Sequence, residues 1–256
     1  MKIFDAHTHY DDEAFDEDRE IVIKELEADG VIGVLNCGAS YQGAVASVEY
    51  ANKYKNFYAA VGIHPEHSDS FNKEMLDRLR DLCKNSKVKA IGEIGLDYYY
   101  DENPHREIQL RVFRAQMELA QDLGLPVIIH DRDAHEDTLK IIKEFPNVIG
   151  EVHCFSGSVE FAKECVKLGY YIGITGVVTF KNAKKIVKVV EEIPLERLIL
   201  ETDCPYMAPV PYRGKRNKSG HIKEIIEKIS EIKTYSEDVI ANAAISNVKK
   251  LLQIDL

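Results

Sequence analysis

Two histidines lie one residue apart near the start of the chain, in the segment FDAHTHYDD (residues 4–12). Five more histidine or acidic residues each lie at the end of a short apolar run: His64, Glu93, His130, His153 and Asp203. Imidazole and carboxylate groups together suit Zn²⁺, Mn²⁺ or Fe²⁺ better than Ca²⁺, although an oxygen-rich half could hold Mg²⁺. A single histidine after a strand is more often a hydrogen-bonded polar residue than a ligand, but seven at equivalent places predict a metal centre.

The spacing of His7 and His9 predicts that both rings point the same way. Alternate residues of a strand share a face, so both imidazoles should face one site while Thr8 points away. A catalytic zinc normally has three protein ligands and a water molecule, so six ligands are too many for one ion and enough for two that share a carboxylate. The predicted ligands are His7, His9, Glu93, His130, His153 and Asp203. Cys154 and Cys204 are interpreted as packing residues rather than ligands.

Glu93 is the predicted bridge between the two ions. In AIGEIGLDY it lies near Gly92 and Gly95, whose missing side chains would leave room for ions to approach. The alternative is that the two glycines mark only a tight turn between strand and loop.

The elements that must position these residues are short apolar runs alternating with longer segments of helical periodicity. The predicted strands are 2–6, 31–37, 57–63, 88–94, 125–129, 148–152, 170–174 and 198–200. The predicted helices are 18–28, 42–53, 73–83, 106–123, 133–143, 159–168, 183–193, 223–232 and 236–252. This alternation indicates parallel strands joined by right-handed helical crossovers.

No linker or shift of composition divides the chain, so a single domain over residues 1–256 is predicted. Eight βα units in about 250 residues predict a TIM (β/α)₈ barrel with its site at the carboxyl ends of the strands. The competing α/β fold is a doubly wound sheet, which would place a ligand where the strand order reverses.

Composition limits the partners and the compartment. With 33 Lys and Arg against 43 Asp and Glu, the net charge is −10, which argues against a long groove that tracks DNA. Five scattered cysteines without a C-x-x-C pair indicate a reducing compartment. The sequence contains neither an apolar run of membrane-spanning length nor a secretory leader, so a soluble, cytoplasmic protein with no membrane partner is expected.

The motifs of the chain can be compared with those of a known family. Seven segments resemble, in order, the motifs of the TatD family of metal-dependent DNases: DAHTHYDDEAFDEDRE, AAVGIHPEH, AIGEIGLDYYYD, LPVIIHDRDAHEDT, EVHCFSG, GITGVVTFKNA and LILETDCPYMAPVPYRGKRN. The resemblance runs from residue 5 to about residue 217. It implies a TIM-barrel hydrolase with two divalent ions (Mg²⁺, Mn²⁺ or Zn²⁺) that cleaves phosphodiesters, as an exonuclease on single-stranded or frayed DNA ends.

The resemblance also implies roles for individual residues. His7, His9 and Asp203 would hold one ion and His130 and His153 the other, with Glu93 between them. His64, in GIHP, would contact substrate phosphate rather than metal. The chain departs from the family pattern after RGKRN, where Lys218 and Ser219 replace the usual Glu-Pro. That difference concerns how the loop after the eighth strand closes over substrate.

A basic run follows Asp203. Arg213, Lys215, Arg216 and Lys218 place four positive charges within six residues, and beside a phosphoesterase site such charges are predicted to bind phosphate. Arg213, Arg216 and Asn217 are therefore predicted substrate-binding residues. Three consecutive tyrosines after the Glu93 motif, residues 98–100, could stack on bases or could cover an edge of the core.

The predicted mechanism is attack of a metal-activated water on phosphorus, with Glu93 and Asp203 as the catalytic residues. Asp203 would accept the proton of the water and pass it to the leaving oxygen. One alternative is an amidohydrolase-type enzyme that opens a small amide, lactone or ester with the same metal-activated water. Another is a barrel that has lost catalysis and serves as an interaction protein, although all six ligands are retained. No obligate protein partner is implied.

Overall fold

The computed structural model describes residues 1–256 as eight parallel strands alternating with helices. The strands are β1 (Ile3–Thr8), β2 (Val31–Cys37), β3 (Phe57–Val61), β4 (Val88–Asp97), β5 (Val127–Arg132), β6 (Gly150–Val152), β7 (Tyr171–Ile174) and β8 (Leu198–Leu200). The helices are α1 (Arg19–Glu25), α2 (Tyr41–Lys53), α3 (Lys73–Leu82), α4 (Arg106–Leu123), α5 (His135–Glu144), α6 (Val159–Lys167), α7 (Lys184–Glu192), α8 (Ile222–Lys233) and α9 (Glu237–Leu252). The strands pair in chain order. The predicted TIM barrel is confirmed.

The barrel closes where the chain leaves β8 and passes beside β1. The amide of Asp203 donates to the carbonyl of His7 at 3.0 Å, and the amide of His9 donates to the carbonyl of Cys204 at 2.8 Å. Nearby, the buried Asp5 carboxylate accepts from both the amide and the hydroxyl of Thr202, at 2.9 and 2.6 Å. These bonds fix the first and last parts of the candidate site against each other.

The apolar core has two parts. A cluster of 54 buried residues fills the space between the strands and the helices around them. A second cluster of 13 lies inside the barrel, where Ala6, Leu35 and Ile128 pack with Leu251 and Leu252 of α9. Because α9 residues belong to this inner cluster, the space beneath the site is filled with side chains, and only the carboxyl-end mouth of the barrel is left for ligands.

Two strands are irregular beside the site residues. The pairing of β1 with β2 shifts register between Asp5 and Thr8, and the pairing of β4 with β5 shifts between Ile91 and Ile94. A shift of this kind changes which side chains face inward. It lets His7 turn toward the mouth although Ala6 already packs in the inner cluster.

The predicted element bounds differ from the observed ones mainly at the mouth. β1, β4 and β5 run two or three residues further than predicted. Polar residues beyond the apolar runs remain in the sheet, since Gly95 pairs with His130 and Asp97 with Arg132. The chain has no helix with the combined length and apolar character needed to cross a membrane.

Candidate metal centre

All six residues predicted to bind metal meet at the mouth of the barrel, with Glu93 between two groups of histidines. Its Oε2 atom lies 3.4 Å from His7 Nε2 and 3.7 Å from His9 Nε2. Its Oε1 atom lies 2.9 Å from His130 Nδ1 and 3.9 Å from His153 Nε2. A carboxylate that bridged two ions would lie in this way, with each of its oxygens facing different histidines.

Asp203 lies at the other side of the same cluster. Its Oδ1 atom is 3.3 Å from His9 Nε2 and 3.7 Å from His153 Nε2. The rings of His7 and His9 are inclined at 66° to each other, with their Nε2 atoms 3.1 Å apart. Thr8, between them, points to the other side of β1 and donates to a carbonyl of β2. The shared orientation predicted for the two histidines is therefore present.

Three of the histidines have their second ring nitrogen held by an acceptor of the protein. His9 Nδ1 lies 2.9 Å from the carbonyl of Cys37, and His130 Nε2 lies 3.0 Å from Asp97 Oδ2. His153 Nδ1 lies 2.8 Å from Glu201 Oε2. Histidines that bind metal are commonly held in this way, because the acceptor fixes the ring and makes the other nitrogen a better ligand. The donor set thus fits a divalent metal.

The ligand atoms fall into three groups, each with all its atoms within 4.8 Å of one another. The groups are His7–His9–Glu93, His7–His153–Asp203 and His64–Glu93–His130. The resemblance instead pairs His130 with His153. His64 was predicted to contact phosphate, but its Nε2 atom lies 3.8 Å from Glu93 Oε1, so its position also makes it a candidate ligand.

Three imidazoles hold protons strongly when no metal is bound. Burial disfavours the charged form of each ring, but neighbouring carboxylates outweigh burial through hydrogen bonds and negative charge. They raise the pKa of His9 and His130 to about 9 and the pKa of His153 to about 10. A metal ion that binds these rings must therefore displace protons.

The pKa values of the remaining members of the cluster are lowered. Burial lowers the pKa of His7, and burial together with the charge of His130 lowers the pKa of His64 to about 3. Burial opposes ionisation of Glu93 and Asp203, but the surrounding histidines hold the pKa of both carboxyls below the usual range. Both carboxylates are thus ionised at neutral pH, as metal ligands and proton acceptors must be.

The sequence reasoning missed two carboxylates that hold the histidines. Glu201 is fully buried; one oxygen meets His153 and the other accepts from the Cys154 amide at 2.7 Å. Asp97, at the end of β4, meets His130. A signal existed for Asp97, which follows Glu93 by four residues, a same-face spacing within β4. Glu201 directly follows β8, and its signal was its position as an acidic residue at a strand end.

The glycines beside Glu93 are explained by strand packing rather than by room for ions. A Cβ on Gly95, whose φ is +139°, would lie 2.0 Å from the carbonyl oxygen of His130. A Cβ on Gly92 would lie 2.7 Å from the side chain of Ile128. Both glycines therefore permit close approach of β4 to β5. The alternative of a tight turn does not hold either, because β4 continues to Asp97.

The structure gives Arg216 and Asn217 partners other than substrate. Arg216 binds both oxygens of Asp18, at 2.8 and 2.6 Å. Asn217 is fully buried and donates to the carbonyls of Thr202 and Tyr206, at 2.9 and 2.7 Å. Neither residue lines the cavity above the metal cluster. Their physical role is to tie the loop after β8 to the barrel and to the acidic segment after β1.

Two further residues of the basic run, Arg213 and Lys218, also have partners outside the cluster. Arg213 lies over the ring of Phe180, with its guanidinium carbon 4.4 Å from the ring centroid. Lys218 pairs with Glu25 and Asp29, at 3.4 and 3.2 Å. Arg213 is likewise absent from the cavity wall. Arg216 and Lys218 are thus paired with acidic residues of the N-terminal segments, and Arg213 packs on an aromatic ring.

A cavity of about 830 Å³ opens above the cluster, and its wall includes every candidate ligand except the fully buried His7. Of the three tyrosines, Tyr98 donates to Asp137 at 2.8 Å, Tyr99 is exposed, and Tyr100 lines the cavity. Cys154 also lines it, with its thiol 3.6 Å from the Thr175 hydroxyl, and it belongs to none of the three ligand groups.

Comparison with known proteins agrees with this arrangement. Residues 4–253 match the family described as TatD related DNase. The chain belongs to the TatD family. A Bacillus subtilis member named as an uncharacterized metal-dependent hydrolase, YabD, is 43% identical over 255 residues, which cover 99% of this chain and 100% of YabD.

Solved TatD structures share the whole barrel. YjjV of Escherichia coli, described as a TatD homologue, superposes with a TM-score of 0.92 at 31% identity and covers 99% of this chain and 98% of its own. A TatD family hydrolase of Entamoeba histolytica gives a TM-score of 0.86 at 27% identity, with 98% of each chain covered. This TatD protein is accordingly a metal-dependent hydrolase, and the family predicted from its motifs is confirmed.

Proposed function

We propose that this TatD protein hydrolyses phosphodiester bonds at DNA ends, with two divalent ions bound around Glu93. The observation that carries the proposal is the position of the Glu93 carboxylate, whose two oxygens face separate groups of histidines at the base of an 830 Å³ cavity. Two-metal sites of this kind recur in phosphatases and nucleases. The family's description as DNases supports the same substrate class.

His7, His9 and Asp203 lie on one side of the cluster and His64 and His130 on the other, while His153 lies near both Asp203 and Glu93 Oε1, so these residues would hold the ions. Bound divalent ions supply positive charge that makes water easier to deprotonate and that offsets charge on the phosphate. In this proposal Asp203 takes up the proton. Its carboxylate is buried, is kept ionised by neighbouring histidines, and borders the cavity. General-base assistance of this kind contributes about 10²–10⁴-fold.

The charge of the protein favours a small substrate portion over a long duplex. The net charge is −10, and Asp11, Asp12 and Glu66 add acidic groups to the cavity wall itself. Carboxylates at that wall repel an extended polyanion laid across it. A single-stranded or frayed end, which presents few phosphates at once, meets less of this repulsion.

The test is metal reconstitution followed by digestion of end-labelled DNA. Chelator-treated protein receives Mg²⁺, Mn²⁺ or Zn²⁺ singly and is then given linear single-stranded DNA, a duplex with a frayed end and circular single-stranded DNA. We expect stepwise shortening of the two linear substrates and an intact circle. Cleavage of the circle at the same rate would contradict action at ends.

Two further measurements separate the alternatives. Hydrolysis of acyl-amides or lactones without any cleavage of phosphodiesters would establish the amidohydrolase-type activity instead. Failure to take up any of the three ions would support a barrel without catalysis.

A further inference from the structure

Apart from its histidines, the cavity above the metal cluster contains two cationic side chains, Arg132 and Lys185, among seven carboxylates. Neither cation is neutralised by a carboxylate. Arg132 donates to the hydroxyl of Tyr100 at 3.2 Å, and Lys185 donates to the carbonyl of Ser156 at 3.1 Å. In a chain of net charge −10, two unpaired cations in one cavity imply an anionic ligand at that place.

Arg132 is held in position by two aromatic rings. Its guanidinium carbon lies 3.9 Å from the ring centroid of Tyr99 and 4.8 Å from that of Tyr100. Cation–π contacts of this kind order the side chain before a ligand arrives. The planar guanidinium group can then present two parallel N–H donors to a phosphate. The exposed tyrosines, predicted from sequence to stack on bases or cover a core edge, thus have an arginine as their neighbour.

The position of Arg132 relative to the cluster decides which phosphate it can serve. It follows His130 by two residues on β5, so both side chains face the mouth, about 6.6 Å apart along the strand. This displacement is of the same order as one nucleotide of an extended strand. The charge of the scissile phosphate would be neutralised at the cluster itself. A cation about one nucleotide further along the strand would therefore bind a second anionic group.

Lys185 lies on the same side of the mouth. It is the second residue of α7, and the carbonyl that it binds belongs to Ser156, in the loop after β6. The hydroxyl of Ser156 in turn donates to the backbone carbonyl of Asp131, next to Arg132, at 3.5 Å. The ends of β5, β6 and β7 thus form one wall that carries both cations.

We propose that Arg132 and Lys185 bind phosphates that flank the scissile one, so that the site selects a polynucleotide end over an isolated phosphodiester. This assignment rests on the proposed phosphodiesterase function and adds the substrate feature that the cavity recognises. It also replaces the basic run after Asp203, whose charges lie elsewhere, as the source of phosphate contacts.

The test compares two substrates in the Mn²⁺-loaded enzyme. One is bis(p-nitrophenyl) phosphate, which has a single phosphate, and the other is a labelled single-stranded decanucleotide. Arg132→Gln should lower kcat/KM for the decanucleotide by about 10–100-fold, the range for loss of charged hydrogen bonds. It should leave kcat/KM for the small diester within about twofold, which also shows that the variant is folded. Lys185→Gln should have the same selective effect, with a smaller loss, since its ammonium makes point-charge contacts.

A matched control is available on the outer surface. Arg111 is exposed on α4, so Arg111→Gln changes the net charge equally and should alter neither activity. The slope of log kcat/KM against log salt for the decanucleotide should fall by about 0.7 for each lost phosphate contact. The control should keep the wild-type slope.

The outcomes separate the two proposals. Suppose that the wild-type enzyme cleaves both substrates, and that Arg132→Gln either loses the same activity on both or loses no activity on either. Selection of polynucleotide ends by Arg132 would then be overturned, while the phosphodiesterase function would stand. If wild-type enzyme with each of the three metals cleaves neither substrate, the proposed function fails, and this assignment fails with it.

Discussion

Replacement of Glu201 by glutamine tests how far the metal site depends on the carboxylates behind its histidines. Glu201 uses one oxygen for His153 and the other for the Cys154 amide, at 2.8 and 2.7 Å. Glutamine has nearly the same shape but no charge and only one acceptor oxygen. One of the two donors must therefore lose its acceptor. In either orientation the ring of His153 is no longer held by a negative charge.

The magnitude follows from these two bonds. Loss of a partner that orients a metal-binding histidine typically weakens metal binding 10–100-fold, which corresponds to about 1.4–2.7 kcal/mol. A buried donor left without an acceptor costs about 1–3 kcal/mol of folding stability. We therefore expect Glu201→Gln to bind Zn²⁺ or Mn²⁺ 10–100-fold more weakly and to unfold at a lower temperature.

The assay is competition with a chromophoric chelator, with a neighbouring carboxyl as the control. Glu151 is fully buried, and burial together with the charge of Glu201 raises its pKa well above the usual range. Burial thus favours the protonated form of Glu151, and glutamine is nearly isosteric with that form. Glu151→Gln should keep the wild-type metal affinity within about twofold. Equal weakening in both variants, or none in Glu201→Gln, would refute a specific role of Glu201 in orienting His153.

Three further predictions concern catalysis, protons and the loop after β8. Asp203→Asn should remain folded and should turn over both DNA and a small phosphodiester about 10²–10⁴-fold more slowly; full turnover on both substrates would exclude its role as proton acceptor. In the metal-free protein, His9 and His130 have pKa values raised from 6.5 to about 9, so their stabilising contribution is complete below about pH 6.5 and is lost as pH rises through about 9. Without metal, the melting temperature should therefore decrease as the pH is raised from about 6.5 to 8.5. Over the same range metal binding should become stronger and release protons, as calorimetry in buffers of different ionisation enthalpy would show. Asn217→Ala should lower the free energy of unfolding by about 2 kcal/mol through two lost buried bonds and retain kcat on the small diester; unchanged stability with lost DNA cleavage would restore its predicted contact with substrate.

The location of the site was predictable because the architecture imposes it. Parallel strands of a barrel end at one edge, so residues that follow separate apolar runs must converge there. His7, His130 and Asp203 are more than 70 residues apart in sequence, yet each ends or follows a strand of this edge. The same argument could have found Asp97, had β4 been extended through its polar end, and Glu201, which directly follows β8.

Other features depend on contacts that sequence spacing does not show. The register shifts in β1 and β4 adjust the facing of His7 and Glu93; Gly92 and Gly95 mark the irregularity in β4, whereas no glycine marks the one in β1. The position of the basic run after Asp203 predicts phosphate contacts, but Arg216 pairs with Asp18, 198 positions away. Arg132 had no signal of its own, since it is a single cation within the mixed segment HDRDAHED.

The arrangement of ring nitrogens indicates what occupies the centre. A strand-end histidine that merely satisfied its own polar atoms would have both nitrogens bonded to protein acceptors or water. Here the Nε2 atoms of His7 and His9 face each other at 3.1 Å, a contact that is unfavourable if both nitrogens carry lone pairs. A proton or a metal ion between them removes the repulsion. Because Glu93 and Asp203 add negative charge at the same place, a divalent cation is the stronger stabiliser wherever pH is high enough for the protons to leave.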